Sequence, residues 1–295
     1  MITITGGTKP NLVFLSAFSQ VRGCVQPMAL VAAPIFFIME NIRKTSLAKL
    51  VIRQSGTAAI FEKHQIDYCC QGKCSLEDAC ARQGLNVMEI EQEIAKGHSK
   101  NDETTENYFQ NLPPDALADY IVERHHAYTK QRLPLIAAHT KKAAEQHGDT
   151  NPTLWDIDTL FTELVGDMSA HMFKEEQILF PYIRRLARAQ QSGGPIHALI
   201  QPFVGNPIQV MEMEHDHAGE LMRQIRRLSN DYSPPLAAGT TWKMAFNELS
   251  EFERDLHQHV HLENNLLFPA AIEMEAALLS GEPGTSPPEY RGQPN

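Results

Sequence analysis

The 295-residue chain is poor in the features that mark several common classes of protein. Its five cysteines are too few for a secreted disulfide scaffold, so we expect a reducing compartment and reduced or metal-bound thiols. It has no stripe of lysine and arginine, and a net charge of -10 argues against a nucleic-acid partner. No apolar run reaches the roughly 18 residues of a membrane-spanning helix, so we expect no membrane partner. What remains is a globular protein of ordinary apolar content.

The N-terminal residues 1–44 are apolar but interrupted by polar residues and prolines. The stretch "MALVAAPIFFI" resembles the apolar part of a signal peptide, yet no A-x-A-like cleavage site follows and few basic residues precede it. We interpret residues 1–44 as a leader of doubtful status. A segment unrelated to the fold, with translation beginning at Met28 or Met39, is favoured over an export signal.

Residues 45–100 predict a small helical domain that contains four of the cysteines. Apolar residues in "TSLAKLVIRQSGTAAIFEKHQI" recur at helical spacing, with a break near Gly56. "SLED", residues 75–78, predicts a capping box for a short helix that ends near Arg82. A further helix is expected from Asn86 to about Lys96. The polar stretch "GHSKNDETTEN" opens a linker, which we assign to residues 101–113.

Four long helical patterns follow, with almost no strand signal. They cover about 114–147, 152–189, 207–230 and 238–279, and stretches rich in Gly, Pro, Asn and Ser separate them. Four amphipathic helices with modest connections predict an antiparallel four-helix bundle over residues 114–280. The tail, 281–295, lacks apolar residues and is expected to be disordered. The predicted fold class is therefore all-α.

Two of these helices carry a histidine and a glutamate four residues apart. His171 and Glu175 lie in "HMFKE", and His259 and Glu263 lie in "HVHLE", so each pair shares one helix face. Both pairs interrupt apolar stripes, which run through Leu154, Phe161, Leu164, Met168, Ile178 and Tyr182, and through Leu249, Phe252, Leu256, Leu266 and Ala270. Because a buried carboxylate is costly unless it is paired or metal-bound, these stripes predict a metal site in the core.

The other two helices each offer two candidate histidines. Periodicity does not choose between His125 and His126, whereas His215 fits its apolar stripe better than His217 does. A single histidine on a helix face is more often a core or surface residue than a ligand. Two His-Glu pairs on core stripes, with a candidate histidine on each remaining helix, favour a metal site over coincidence.

The number of candidate ligands indicates which metal they bind. His257 and His261 are four apart but lie off the apolar stripe, so we expect them to be solvated surface histidines. Four imidazoles and two carboxylates remain, which is too many for one tetrahedral zinc and includes no thiolate. Two metal ions bridged by both carboxylates fit this set, and iron is favoured.

Five segments in order resemble the di-iron iron-sulfur cluster repair proteins, the RIC family, between about residues 45 and 272. They are "DYCCQG", "HHAYTKQRLP", "SAHMFKEEQILFP", "EMEHDHAGELM" and "HVHLENNLLFP". The resemblance implies a vicinal-cysteine domain ahead of a hemerythrin-like bundle. It selects His126 over its neighbour and implies two iron ions, bridged by Glu175 and Glu263, with the ligand set His126, His171, Glu175, His215, His259 and Glu263.

The resemblance also carries functional expectations. It implies repair of iron-sulfur clusters damaged by oxidative or nitrosative stress, in the cytoplasm and often as a dimer. Damaged iron-sulfur proteins would be the partners, and nitric oxide or oxygen species would be small ligands. Iron donation, reduction of nitric oxide to nitrous oxide and sensing of a diatomic gas remain as alternative functions. An oxygen carrier is disfavoured because the extra histidine ligand of hemerythrins has no counterpart here.

The cysteines divide into a matched pair and two others. Cys69 and Cys70 match the vicinal pair of the family, while Cys74 and Cys80 are not placed by it. Because the pair precedes a helix start, we expect low-pKa thiols that accept nitrosyl or oxidative chemistry or pass iron. Buried small residues are the alternative, which we prefer for Cys80, and a four-cysteine metal site is disfavoured. We expect the pair to lie in a separate module and to contribute little to the di-iron site.

Overall fold

The computed structural model describes residues 42–54, 56–96, 108–192 and 204–280. Within these ranges the regular structure is helical, apart from one isolated antiparallel bridge between Ser46 and Ser75. None of the described helices is both long enough and apolar enough to cross a bilayer. Several predicted segments fall outside these ranges. They are the tail, residues 1–41 of the leader and residues 101–107 of the linker.

Four short helices form the N-terminal part: α1 (Leu47–Arg53), α2 (Gly56–Lys63), α3 (Leu76–Gln83) and α4 (Val87–Lys96). Their apolar faces meet in one cluster made of Leu47, Leu50, Val51, Phe61, Ile66, Tyr68, Leu76, Ala79, Cys80, Ile90 and Ile94. Helix α3 begins as predicted, because the Ser75 side chain accepts a hydrogen bond from the Asp78 backbone N–H. The burial of Cys80 in this cluster confirms that it is a core residue.

Four long helices follow, and three of them contain one π-helical turn. Helix α5 comprises Pro114–Ile121, the turn Val122–His126 and Ala127–His147. Helix α6 comprises Thr153–Lys174, the turn Glu175–Leu179 and Phe180–Ser192. Helix α7 is Gly205–Leu228, and helix α8 comprises Thr240–Leu262, the turn Glu263–Leu267 and Phe268–Ser280. Helix α5 packs against α6 and α8, and α6 packs against α7, which confirms the predicted all-α bundle.

The bundle core consists of two apolar clusters, one at each end. In α5 the residues of one cluster, such as Ile121, come before those of the other, such as Leu133. The cluster of Leu133 comes first in α6 and in α8, whereas the cluster of Ile121 comes first in α7. This alternation is what an antiparallel arrangement requires. Between the two clusters each helix presents polar residues, and these belong to the site described below.

The π-helical turns correct part of the predicted apolar stripes. Ile178 is 50% exposed, whereas the next residue, Leu179, is 1% exposed. Leu266 and Ala270 are only partly buried, and their successors, Leu267 and Ala271, are fully buried. A π-helical turn accommodates one extra residue, so every position after it moves round the helix by about one residue. The stripes read at uniform α-helical spacing are therefore wrong at Ile178, Leu266 and Ala270, whereas Tyr182 is buried as predicted.

The N-terminal helices pack directly on the bundle. The His257 ring nitrogen Nδ1 lies 2.7 Å from a Glu62 carboxylate oxygen, and the His261 ring packs edge-on against Tyr68. His261 is 5% exposed and the His257 side chain 19%. The expectation that these two histidines are solvated is therefore wrong, because α2 and the loop after it cover this face of α8.

Replacing His257 with alanine should lower stability without removing metal. The change deletes the bond to Glu62 and leaves that carboxylate without its partner on α8, which costs about 1–2 kcal/mol. Denaturant unfolding measures the loss, and elemental analysis should give the wild-type metal content. His217→Ala is the matched control, because that side chain is 52% exposed on α7 and should change stability by less than about 0.5 kcal/mol. Metal loss in His257→Ala would show that the ligand face of α8 is assigned wrongly.

Candidate metal centre

All four bundle helices contribute to one buried cluster of side chains. The residues are His126 from α5, His171 and Glu175 from α6, His215 from α7, and His259 and Glu263 from α8, and each is at most 1% exposed. Glu175 and Glu263 each open a π-helical turn, and His126 closes one. Single π-helical turns inside α-helices are frequent at functional sites, since the extra residue redirects a side chain. The structure thus brings together all six residues predicted from the sequence.

The six side chains form two groups of four that share both glutamates. The first position consists of His126 and His259 with Glu175 and Glu263. The second position consists of His171 and His215 with the same two glutamates. In each group the candidate ligand atoms all lie within 4.8 Å of one another. Two adjacent sites with two common carboxylates are the arrangement that a bridged pair of metal ions needs.

The imidazole rings of the second position are oriented as metal ligands. His171 donates from Nδ1 to Glu214 (2.9 Å), and His215 donates from Nδ1 to the Asn264 side-chain oxygen (2.9 Å). The Nε2 atoms of both rings therefore face the cluster, and they lie 3.0 Å apart. At this distance the two nitrogens need a proton or a metal cation between them. The site therefore fits a metal ion.

The two glutamates lead to the same conclusion. Within the described residues, both Glu175 carboxylate oxygens and Oε2 of Glu263 make no hydrogen bond. Glu175 Oε2 nevertheless lies 3.3 Å from His126 Nε2 and 3.2 Å from His171 Nε2. The oxygens are thus close to the imidazoles but not directed along an N–H bond. Buried carboxylates without hydrogen bonds are costly, and metal coordination would satisfy them.

The electrostatics of the cluster show that it needs positive charge. Burial alone would lower the pKa of His126 and His171, but Glu175 and Glu263 outweigh it and raise both pKa values to about 10. Burial lowers the pKa of His259, which faces other imidazoles. Despite burial, the surrounding histidines hold the pKa of Glu263 well below its usual value. Both carboxylates are thus ionised in a buried site, where metal ions can supply the charge that protons would otherwise provide.

A second layer of charged residues holds two of the histidines. Nδ1 of His126 lies 2.8 Å from Glu176, and Lys130 pairs with the same carboxylate at 2.6 Å. Glu214 contacts His171 in the same way and is paired with Lys174. Such carboxylate–histidine pairs fix the ring orientation and raise the basicity of a metal ligand. The sequence did not reveal these residues, because each contact joins two different helices.

The remaining candidate histidines are not part of either group. His125 is 1% exposed, lies 3.1 Å from Asp255 and stacks on the His259 ring. His217 is half exposed beside Glu163. The structure thus places His126, which periodicity could not separate from His125, and His215, which periodicity favoured, in the cluster, and it places His125 and His217 outside it.

The cysteine pair lies against the bundle, in a loop that we define as residues 67–72 and call the cysteine loop. Asp67 organises it by accepting hydrogen bonds from the backbone N–H groups of Cys70 (2.9 Å) and Gln71 (3.3 Å). The Cys69 and Cys70 sulfurs lie 3.8 Å apart, and Cys69 is 4% exposed within the bundle core. The domain that carries the pair thus packs directly on the bundle. One expectation is corrected: the pair does not lie at a helix N-terminus.

The predicted low pKa is also wrong for Cys69. Hydrogen bonding to Cys70, burial and the nearby Asp67 carboxylate all raise the pKa of the Cys69 thiol well above its usual value. Cys69 is therefore a thiol at neutral pH as long as the cysteine loop stays packed on the bundle. Cys74 is partly buried beside the N-terminal cluster, and the four cysteines of the described residues are unpaired.

A helical bundle that encloses shared histidine and glutamate ligands defines the class of hemerythrin-like metal-binding domains. The family model "Hemerythrin HHE cation binding domain" matches residues 117–271, and a domain of unknown function, DUF542 or ScdA_N, matches residues 43–98. The chain is 37% identical to the iron-sulfur cluster repair protein YtfE of Escherichia coli O157:H7 and 36% identical to that of Escherichia fergusonii. Each comparison covers 79% of this chain and 99% of the relative. The chain therefore belongs to the family of YtfE-type iron-sulfur cluster repair proteins, and its buried cluster can hold two iron ions.

Proposed function

We propose that this protein restores iron-sulfur clusters damaged by oxidative or nitrosative stress by supplying iron from a non-haem di-iron centre. The observation that carries the proposal is the buried cluster of four imidazoles and two carboxylates, in which three of the four carboxylate oxygens make no hydrogen bond within the described residues. The relatives reported above are named as iron-sulfur cluster repair proteins, which supports the same reaction for this chain.

Each residue of the cluster has a defined part in this proposal. His126 and His259 would hold one iron and His171 and His215 the other, with Glu175 and Glu263 shared by both positions. Bound iron supplies exchangeable ferrous ions and redox chemistry. Glu176 and Glu214 orient two of the imidazoles, and the apolar clusters on either side exclude bulk water from the centre.

The surroundings of the cysteine pair support iron donation in particular. A cavity of about 130 Å³ lies beside the pair and is lined by Cys69, Cys70, Lys73, Glu212, Asp216, Asn264 and Asn265. Thiolates and carboxylates both bind iron. We assign Cys69 and Cys70 as the thiols that transfer iron or react with a damaged cluster, once the loop has moved and exposed them.

The proposal includes four features that are carried over from the family resemblance. Damaged iron-sulfur proteins are the partners, and nitric oxide or oxygen species are small ligands of the centre. The protein acts in the cytoplasm. It functions as a homodimer, which sedimentation analysis of the purified protein will test.

The purified protein should contain about two irons per chain, as two bridged positions require. Elemental analysis of protein expressed with iron in the medium measures this ratio directly. A content of one zinc and no iron would refute the di-iron assignment.

Iron donation and turnover of nitric oxide can be separated in one pair of assays. In the first, the iron-loaded protein is mixed with an apo-cluster protein and sulfide, and reconstituted clusters are counted against the iron lost. In the second, the reduced protein is supplied with nitric oxide and nitrous oxide is measured over many equivalents. Donation predicts cluster formation matched to iron loss. Multiple turnovers of nitrous oxide without cluster formation would favour an enzyme instead.

A further inference from the structure

One side chain links the cysteine loop to the second metal position. The Asn264 oxygen accepts the hydrogen bond from Nδ1 of His215 at 2.9 Å. The amide nitrogen of the same side chain points to the backbone carbonyl of Cys69 at 3.5 Å. Asn264 directly follows the bridging ligand Glu263 within the π-helical turn of α8. A single amide group thus lies between a metal ligand and the cysteine pair.

The Cys69 carbonyl helps to orient the Asn264 amide and, through it, the His215 ring. A carbonyl only accepts hydrogen bonds, so Asn264 must direct its NH₂ group at Cys69 and its oxygen at the imidazole. An oxygen facing Nδ1 requires the proton on Nδ1, which leaves the Nε2 lone pair for the metal. If the carbonyl moved away, Asn264 would lose this restraint, and the hydrogen bond that orients the His215 ring would weaken.

The loop is held close to α8 by further contacts. The Asn265 amide donates to the carbonyls of Cys69 (3.1 Å) and Tyr68 (3.3 Å). A side chain at Gly72 would collide with Asn265, so glycine permits this approach. Asn265 also lies 3.0 Å from Nδ1 of His261, which is not a candidate ligand. Asn265 therefore anchors the same loop without contacting the metal cluster.

The packing of the two sulfurs makes the loop responsive to what binds it. Cys69 is 4% exposed, while Cys70 is partly exposed beside the cavity described above. A thiophilic centre that binds both sulfurs at once would move Cys69 from its packed position in the bundle core. Because its carbonyl belongs to the same residue, that movement breaks the hydrogen bonds from Asn264 and Asn265.

We propose that Asn264 is a positioning residue that couples the cysteine pair to the second metal position. When one thiophilic centre engages both Cys69 and Cys70, the Cys69 carbonyl leaves Asn264, the hydrogen bond that orients the His215 ring weakens, and the metal ion held with His171 is released more readily. The inference rests on the proposed iron donation and adds its trigger. Iron leaves when the cysteine pair has engaged its client, and it leaves from the second position.

Phenylarsine oxide is a suitable probe, because it binds two neighbouring thiols. Each reagent molecule forms two As–S bonds and releases one water, and no atom changes oxidation state. The iron-loaded full chain is treated with one equivalent, mass spectrometry confirms the adduct, and transfer of ferrous iron to a chromogenic chelator is followed. We expect release of one of the two ions to accelerate by about tenfold, the low end of the effect of losing an outer-layer partner of a metal ligand.

Two neighbouring variants separate coupling from loop packing. Asn264→Asp keeps an oxygen that accepts from His215 but removes the NH₂ group that faces Cys69, so metal is retained and the arsenical no longer changes the release rate. Asn265→Ala removes a bond to the same carbonyl but leaves the Asn264 relay intact, so the acceleration remains. The equilibrium metal content of each variant against a competing chelator provides a second readout. The double variant Cys69→Ser/Cys70→Ser should form no adduct at the pair and show no acceleration.

Two results would overturn the proposal. One is an unchanged release rate in wild-type protein that carries the adduct. The other is an acceleration in Asn264→Asp equal to that of the wild type. If Asn264→Asp does not fold, as judged by circular dichroism, the wild-type and Asn265→Ala measurements still decide. Because the iron acceptor in this experiment is a chelator and not a protein, a negative result would refute the coupling alone. Iron donation would still be tested by the cluster-reconstitution assay.

Discussion

Replacing Glu263 with alanine should abolish the binding of both metal ions. Glu263 belongs to both groups of ligands, so its loss leaves each position with three protein ligands instead of four. The cluster would also lose one of the two negative charges that balance the charge of the metal ions. A change at His126 or His215 affects one position only, so it should weaken one ion more than the other. Glu175→Ala should behave as Glu263→Ala does.

Elemental analysis and thermal unfolding with and without added iron provide the measurements for this prediction. Metal that binds only the folded state raises its stability by RT ln(1 + [L]/Kd), so wild-type protein should unfold at a higher temperature when loaded. That difference should disappear in Glu263→Ala. Glu275→Gln is the control, because it neutralises another buried carboxylate of α8, which accepts from the Tyr182 hydroxyl, without touching the cluster. Two irons in Glu263→Ala would show that this carboxylate is not a bridging ligand.

The ligands on α6 and α8 could be predicted because their signal is local. Residues four apart on a helix share a face, and a carboxylate at a core position is conspicuous among apolar neighbours. The choice of His215 over His217 followed from the same periodicity. His125 and His126 could not be separated in this way, because both are buried: one belongs to the cluster and the other stacks behind it. Only the resemblance selected His126, the residue that lies in the cluster.

The π-helical turns were not predicted, and they account for the errors in the apolar stripes. The amino-acid composition of such a turn does not distinguish it from an α-helix, since "EEQIL" and "ENNLL" are compatible with either. Their effect appears one turn later, where Leu179 and not Ile178 enters the core. The sequence signal of such a turn is an apolar stripe that continues with a shift of one residue after a charged core position.

Contacts between the N-terminal helices and the bundle were the other feature that the sequence did not reveal. A polar stretch between two helical regions indicates a connection, but it does not indicate whether the regions touch. His257 and His261 lie off the apolar stripe of α8, and they are covered because α2 and the cysteine loop pack there. The same packing buries Cys69 and raises its pKa, which a helix-dipole argument based on the sequence alone could not foresee.

Changing both Cys69 and Cys70 to serine should leave the metal content near two ions per chain while strongly reducing cluster repair. Neither sulfur belongs to the two ligand groups, and the Cys69 carbonyl that holds Asn264 is unaffected by the substitution. A serine at position 69 can donate to Asp67, as the thiol does, so the loop should remain packed with a loss of about 1 kcal/mol. Repair should fall by about tenfold or more, because a hydroxyl provides no thiolate to bind iron or attack a cluster at neutral pH.

The control for this variant is Cys80→Ser, which changes a buried thiol in the N-terminal cluster, away from the cysteine loop. It should lower stability but retain most of the repair rate per folded molecule. Repair is measured as recovery of activity in a nitric oxide-damaged cluster enzyme, with iron content determined on the same preparations. A double variant that repairs at the wild-type rate would mean that the thiols are structural and that the bundle acts alone. A double variant that loses its iron would mean that the packing of the cysteine loop is itself required to hold the metal, since the loop and His215 are joined through Asn264.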